Sequence, residues 1–172
     1  MQYFVIVPQG YGQLGEGTVV DKHSGEVSKV EVMLEHVPED ELTAVAGRIY
    51  LASNALAKAL AKDYAVCFDF EKASVYGAPQ MKEKLKKLPE FVWLKIRGIG
   101  LENDFGLFNN RLVVSETALE FLRQFKVREW EVIRFEDFPF SPEERKKQLQ
   151  ERARQKLREI GPPKKFPFKD PT

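Results

Sequence analysis

The sequence predicts an α+β protein: a mixed, mostly antiparallel sheet with flanking helices and a long basic helix near the C-terminus. Three observations predict it. Short segments rich in β-branched and aromatic residues recur along the chain. Stretches of helical period, two of them opened by a serine or asparagine, are interleaved with these segments. Past Ser141, Lys and Arg reach a density that the rest of the chain lacks. A length of 172 residues suffices for one good core, or for two small lobes sharing an interface. The expectation is therefore a single domain over 1–172, with a strand-rich part over 1–100. A strand–helix–strand part with the C-terminal helix follows over 101–172.

Residues 2–8 read as a strand from their β-branched and aromatic content. The glycine-rich stretch 10–17 is a turn region leading into a short strand at 18–20. In residues 26–35, Val27, Val30, Val32 and Leu34 alternate with one irregularity, so this is a further strand that ends at His36 to Asp40. Residues 48–51 form a short strand. Ser53 or Asn54 caps an Ala/Leu/Lys helix running to about Lys62. Val66, Phe68 and Phe70 at period two place a strand over 64–75. A helix then begins near Pro79, with Met81, Leu85 and Leu88 as its apolar stripe, and Pro89 ends it. Residues 91–96 are a strand with Phe91 and Trp93 on one side. Residues 105–108 and 112–114 flank Asn109-Asn-Arg111 as a tight hairpin. Ser115 caps a helix whose inward face is Ala118, Leu119, Leu122 and Phe125, and the strand around Trp130, Val132 and Ile133 returns. Ser141-Pro-Glu-Glu144 is a capping box opening the basic helix to Ile160, with Leu149, Ala153, Leu157 and Ile160 as its apolar seam.

Hydrophobic residues at 43% with 31% charged residues place the chain among ordinary soluble globular proteins. No apolar run approaches the roughly 18 residues a membrane-spanning helix requires. The N-terminus has neither the basic lead nor the cleavage site of a secretory signal. A single cysteine, Cys67, cannot form an internal disulfide and fits a reducing cytoplasm; its apolar surroundings make it a buried structural thiol. The net charge is +1, but unevenly distributed. Residues 141–172 hold ten Lys/Arg against five Asp/Glu, or +5. The preceding 140 residues hold seventeen against twenty-one, or −4.

Gly10-Tyr-Gly-Gln-Leu-Gly15 matches the spacing of a dinucleotide-binding loop. That chemistry requires the third glycine to open a helix whose amides face a pyrophosphate, and here strand-like residues follow it. A glycine loop together with Asp104-Phe-Gly106 matches two protein-kinase motifs, but the lysine strand and catalytic loop of that family are missing. His23 and His36 lie in polar turns without partners at metal-ligand spacing. Asp69 with Glu71, and Glu39-Asp-Glu41, read as solvated strand edges and turns rather than acid/base pairs. No catalytic residue, metal ligand set or cofactor is predicted. The basic C-terminal helix is the best nucleic-acid candidate, although Glu151 and Glu159 dilute its positive stripe.

One segment carries a resemblance. Leu112-Val-Val-Ser-Glu116, then Ala118, Leu119, Leu122 and Phe125, then the return strand from Trp130 to Ile133, resemble the immunity protein family of bacterial polymorphic-toxin systems (contact-dependent and type VI secretion). The similarity spans about thirty residues. It implies a small, non-enzymatic cytoplasmic protein that binds a cognate toxin domain and blocks it, the two genes being adjacent. The recurrent Ser-Glu pair of that family falls on Ser115 and Glu116, which read as a helix cap and a favourable first-turn charge. The expected toxin-facing patch is a set of turn residues, Tyr11, Glu16, Glu39, Asp40, Glu41, Glu102 and Asp104, whose acidic groups suit a basic cleft.

Overall fold

The computed structural model describes residues 1–81, 90–144, 146–147, 150 and 153–154. They fall into two units, 1–138 and 139–172. The first contains two sheets. In one, β11 (Trp130–Arg134), β1 (Tyr3–Pro8), β10 (Arg111–Ser115) and β9 (Phe105–Phe108) run in that order, antiparallel throughout. The other orders β2 (Gly12–Leu14), β4 (Val27–Leu34), β7 (Phe68–Gly77), β8 (Phe91–Ile96), β6 (Ile49–Ser53) and β5 (Leu42–Val45), with β3 (Val19–Val20) also beside β4. Among the described strands, β4 and β7 alone pair with each other in parallel, and Ile99 makes a single parallel bridge to Leu107 of β9. The expected parts over 1–100 and 101–172 interleave, because β1 lies in the middle of the sheet built from the later strands.

The larger sheet carries a separate apolar cluster on each face, which its side chains reach by alternation. On β6, Tyr50 and Ala52 point to one cluster, and Ile49 and Leu51 to the other. On β8, Leu94 joins the first cluster, while Phe91 and Trp93 join the second on one side, as their spacing predicts. The first cluster lies between the two sheets and takes in Leu56, Ala57 and Leu60 of α1 (Asn54–Asp63) and Ala118, Leu119 and Leu122 of α2 (Glu116–Leu122). The second is enclosed because the larger sheet rolls: its edge strands β2 and β5 touch, and Val30, Val32 and Leu34 of β4 pack with Val45 of β5. Val5 and Val113 are fully buried on the outer face of the smaller sheet. A 3-10 turn, Phe135–Asp137, packs on β1, and its Phe135 ring meets Phe108 edge-on at 4.9 Å.

Local signals account for most boundaries. Ser53 Oγ accepts the Leu56 N–H at 3.2 Å and Ser115 Oγ accepts that of Ala118 at 3.2 Å, so both serines cap their helices. Asn109 and Asn110 adopt φ of 48° and 59°, the left-handed pair that a two-residue hairpin requires. Gly106 admits the 98–100 segment along the free side of β9, where any side chain would strike the Ile99 backbone; Leu107 N–H bonds to Gly98 at 2.9 Å. The irregularity expected in β4 is a register shift where β3 pairs with it.

Several expectations need correction. Residues 65–67, expected to open a strand, form a 3-10 turn (Ala65–Cys67) that buries Cys67 and leaves Val66 85% exposed. The glycine stretch contains a strand, β2, and residues 42–45, expected as no element, are the fully buried β5. Pro79–Met81 is a single 3-10 turn, and the stripe through Leu85 and Leu88 lies outside the described residues. In the second unit, Ser141 and Glu144 close the capping box in both directions, at 3.1 and 2.9 Å. Residues 142–144, 146–147, 150 and 153–154 are helical and exposed. Ala153, expected in an inward seam, is thus exposed. Leu149, Leu157, Ile160 and the continuity of that helix lie outside the described residues.

Candidate functional site

Three of the seven residues expected to face a partner, Tyr11, Asp40 and Glu41, meet where the end of β1, the start of β5 and the loop between α2 and β11 converge. Asp40 Oδ2 accepts the N–H groups of Arg128 and Glu129 at 2.8 and 2.6 Å. Glu41 accepts the Lys126 N–H at 2.9 Å and the Ser53 hydroxyl at 2.8 Å, and its own N–H donates to the Lys126 carbonyl at 2.8 Å. The Tyr11 hydroxyl donates to the Glu129 carboxylate. Gln9 N–H reaches the Glu129 carbonyl at 2.9 Å, and the Gln9 carbonyl accepts the buried Thr43 hydroxyl at 2.7 Å. The main chain of loop 126–129 is thus held at Lys126, Arg128 and Glu129 by Asp40 and Glu41, which precede β5, and at Glu129 also by Gln9, which follows β1; Glu41 ties the cap of α1 into the same network.

The chemistry of this junction is acceptor-rich. Charge-assisted bonds from backbone N–H to carboxylate are stronger than neutral ones, and they pay here for burying Asp40, which is only 4% exposed. Among the described residues its Oδ1 has no hydrogen-bond partner. The Tyr11 phenol is held far above its ordinary range. Burial is the largest cause, followed by the Glu129 bond and charge, with Asp40 adding to it. The phenol therefore stays a proton donor to Glu129 throughout the neutral range.

Tyr11 and Asp40, expected on an exposed patch, are buried, at 8% and 4% exposure. Asp40 Oδ2 is turned inward to backbone N–H groups and the Tyr11 hydroxyl to the Glu129 carboxylate, so exposure is the wrong reading of both. Glu41 is half-buried. Glu39 is exposed beside them. Glu16 is exposed at the tip of the β2–β3 loop, where Gly15 and Gly17 pack against the Glu31 carboxylate. Glu102 is exposed, while Asp104 is half-buried and accepts the Ser115 hydroxyl at the head of α2. These last three residues sit on two other loops.

The residues missed from the sequence are those of the fixed loop: Lys126, Arg128 and Glu129, all exposed, with half-buried Trp130 after them. A shallow groove of about 300 Å³ runs along Arg128 to Glu131, lined also by Val7, Pro8 and Gln9. Nothing local could have shown this, since their backbone partners are 85 to 89 positions away in sequence. Asp69 and Glu71 are engaged in surface ion pairs, with Arg97 at 2.9 Å and Lys95 at 3.1 Å. Among the described residues, no three His, Cys, Asp or Glu converge as a metal site, and no helix is long and apolar enough to cross a membrane. Comparison with protein-family models, curated proteins and solved structures finds no match to this chain.

Proposed function

We propose that the chain is a cytoplasmic immunity protein, a binder that makes and breaks no covalent bond and covers the active site of a toxin domain encoded beside it. The observation that carries this reading is the fixed loop 126–129. Its main chain is immobilised by Asp40, Glu41 and Gln9, while the side chains of Lys126, Arg128 and Glu129 remain exposed. Tight inhibitors gain affinity when contact side chains are ordered before binding, because less entropy is lost on association. The resemblance through Leu112 to Glu116 and Trp130 to Ile133 supports the same reading, and this loop links the two halves of that segment. Exposed Glu39, Glu16 and Glu102 keep a place as peripheral contacts that steer a basic partner. Tyr11, Asp40 and Glu41 act in this reading by holding the loop.

Co-expression tests the proposal. Each open reading frame flanking the gene is induced with and without this chain. Restored growth with one toxic neighbour, together with a stable co-purified pair, is the expected result; absence of rescue for every toxic neighbour overturns it. A second reading, nucleic-acid binding through the C-terminal unit, is favoured by Lys146, Lys147 and Arg154, which are exposed on helical backbone. It predicts retention on DNA or RNA that falls steeply with salt and disappears when these residues are neutralised.

A further inference from the structure

The smaller sheet ends on β11, and its register defines what that edge offers. Pairing with β1 runs from Phe4 opposite Arg134 to Pro8 opposite Trp130, and the Gln9 N–H to Glu129 carbonyl bond extends it by one residue. In an antiparallel ladder, pairs that exchange hydrogen bonds alternate with pairs that do not. Glu129, Glu131 and Ile133 therefore direct their backbone groups toward β1, and Trp130, Val132 and Arg134 direct theirs outward. The hairpin gives the same phase. Phe108 and Arg111 close a two-residue turn, so Arg111 and Val113 face β9. Leu112 and Val114 then face Ile6 and Phe4, leaving the odd positions of β1 to β11. Among the described residues, no strand or backbone group pairs with the outward side of β11.

The edge is also charged. From Arg128 to Asp137 it carries four carboxylates (Glu129, Glu131, Glu136 and Asp137) against the guanidinium groups of Arg128 and Arg134. Arg134 is already paired, with Asp137 at 2.8 Å and Glu136 at 3.7 Å. A second copy of this edge would bring the same excess of negative charge; a segment bearing Lys or Arg would be attracted. We propose that the outer edge of β11 receives an extended, Lys- or Arg-bearing segment of the partner as an added strand, beside Glu131. The proposal rests on the immunity reading and gives it a docking surface. The main chain supplies affinity, and Glu131 selects for basic side chains.

The test uses the full-length chain and two blocked nonapeptides, one alternating Lys with Val and the other Glu with Val. Amide exchange is followed residue by residue. The Lys–Val peptide is expected to slow exchange at Trp130, Val132 and Arg134 at least tenfold, and the Glu–Val peptide to leave it unchanged. Glu131→Lys is expected to abolish this protection while the melting temperature is retained. Val132→Pro, which removes one outward donor and no ladder bond, should do the same. Equal protection by both peptides, protection elsewhere only, or full protection in Glu131→Lys overturns the proposal. The two readings fail separately. If both folded variants still rescue growth from a toxic neighbour, the edge is not the docking surface and the immunity reading stands. If the peptide binds as described but no neighbour is neutralised, the edge stands as a basic-strand site and the immunity reading falls.

Discussion

Asp40 shows how one side chain can decide the course of a loop. Its Oδ2 satisfies two N–H groups that would otherwise face the interior unpaired. Asp40→Ala removes the acceptor of both, and we expect a loss of about 2–4 kcal/mol, since an orphaned buried donor costs roughly 1–3 kcal/mol. Asp40→Asn keeps one oxygen in place and should cost only about 1 kcal/mol, the difference between a charged and a neutral acceptor. Urea midpoints at constant slope measure both. Tyr11 makes a prediction about pH. Its phenol is raised above the unfolded value of 10.0, so its contribution is complete below that pH and is lost as pH rises through the folded value. Tyr50 and Tyr64 are shifted the same way, chiefly by burial. Stability should therefore fall above about pH 10, less steeply in Tyr11→Phe. That variant should also lose about 1 kcal/mol at neutral pH with the Glu129 bond.

At the scale of elements, those with local causes were legible in the sequence. Capping serines precede α1 and α2, β-branched and aromatic content marks β1, period-two apolar residues mark β4 and β8, and the Asn-Asn pair turns the β9–β10 hairpin. Two consequences can be measured by denaturation. Ser53→Ala should cost about 1–2 kcal/mol, because it removes the cap of α1 and also a donor to Glu41. Asn110→Gly should gain about 0.5 kcal/mol, since glycine adopts the required positive φ without a Cβ penalty. The elements that were missed lack such causes. β2 has three residues, two of them Gly12 and Gln13, and becomes a strand by pairing with Met33 and its neighbours on β4. β5 is Leu-Thr-Ala-Val, which follows the break at 36–40 but is too short to show a period of its own. It is a strand because Ile49 to Ala52 pairs with it and because both of its faces are buried.

At the scale of the whole first unit, the two sheets are joined by shared core and by the junction, so they should unfold together. Trp93 reports on the rolled sheet and Trp130 on the smaller one. Trp93→Phe and Trp130→Phe each leave a single fluorophore, and their unfolding curves should coincide with the loss of far-ultraviolet circular dichroism measured on the same variant. Separate transitions would show that the junction couples the sheets weakly. Removing residues 1–8 should abolish the cooperative transition, because β1 is the central partner of both β10 and β11.

The α+β class, the capped helices, the buried thiol and the charge division follow from periodicity, capping and composition within a few residues. The rolling of the larger sheet around a second core and the place of β1 among late strands come from contacts distant in sequence. So does the inward turn of Tyr11 and Asp40, while Lys126, Arg128 and Glu129 remain at the surface. The physical reason is range. A turn carboxylate is exposed or buried according to whether a distant main chain brings it unpaired N–H groups, and no pattern within the turn itself records the arrival of residues 126–129.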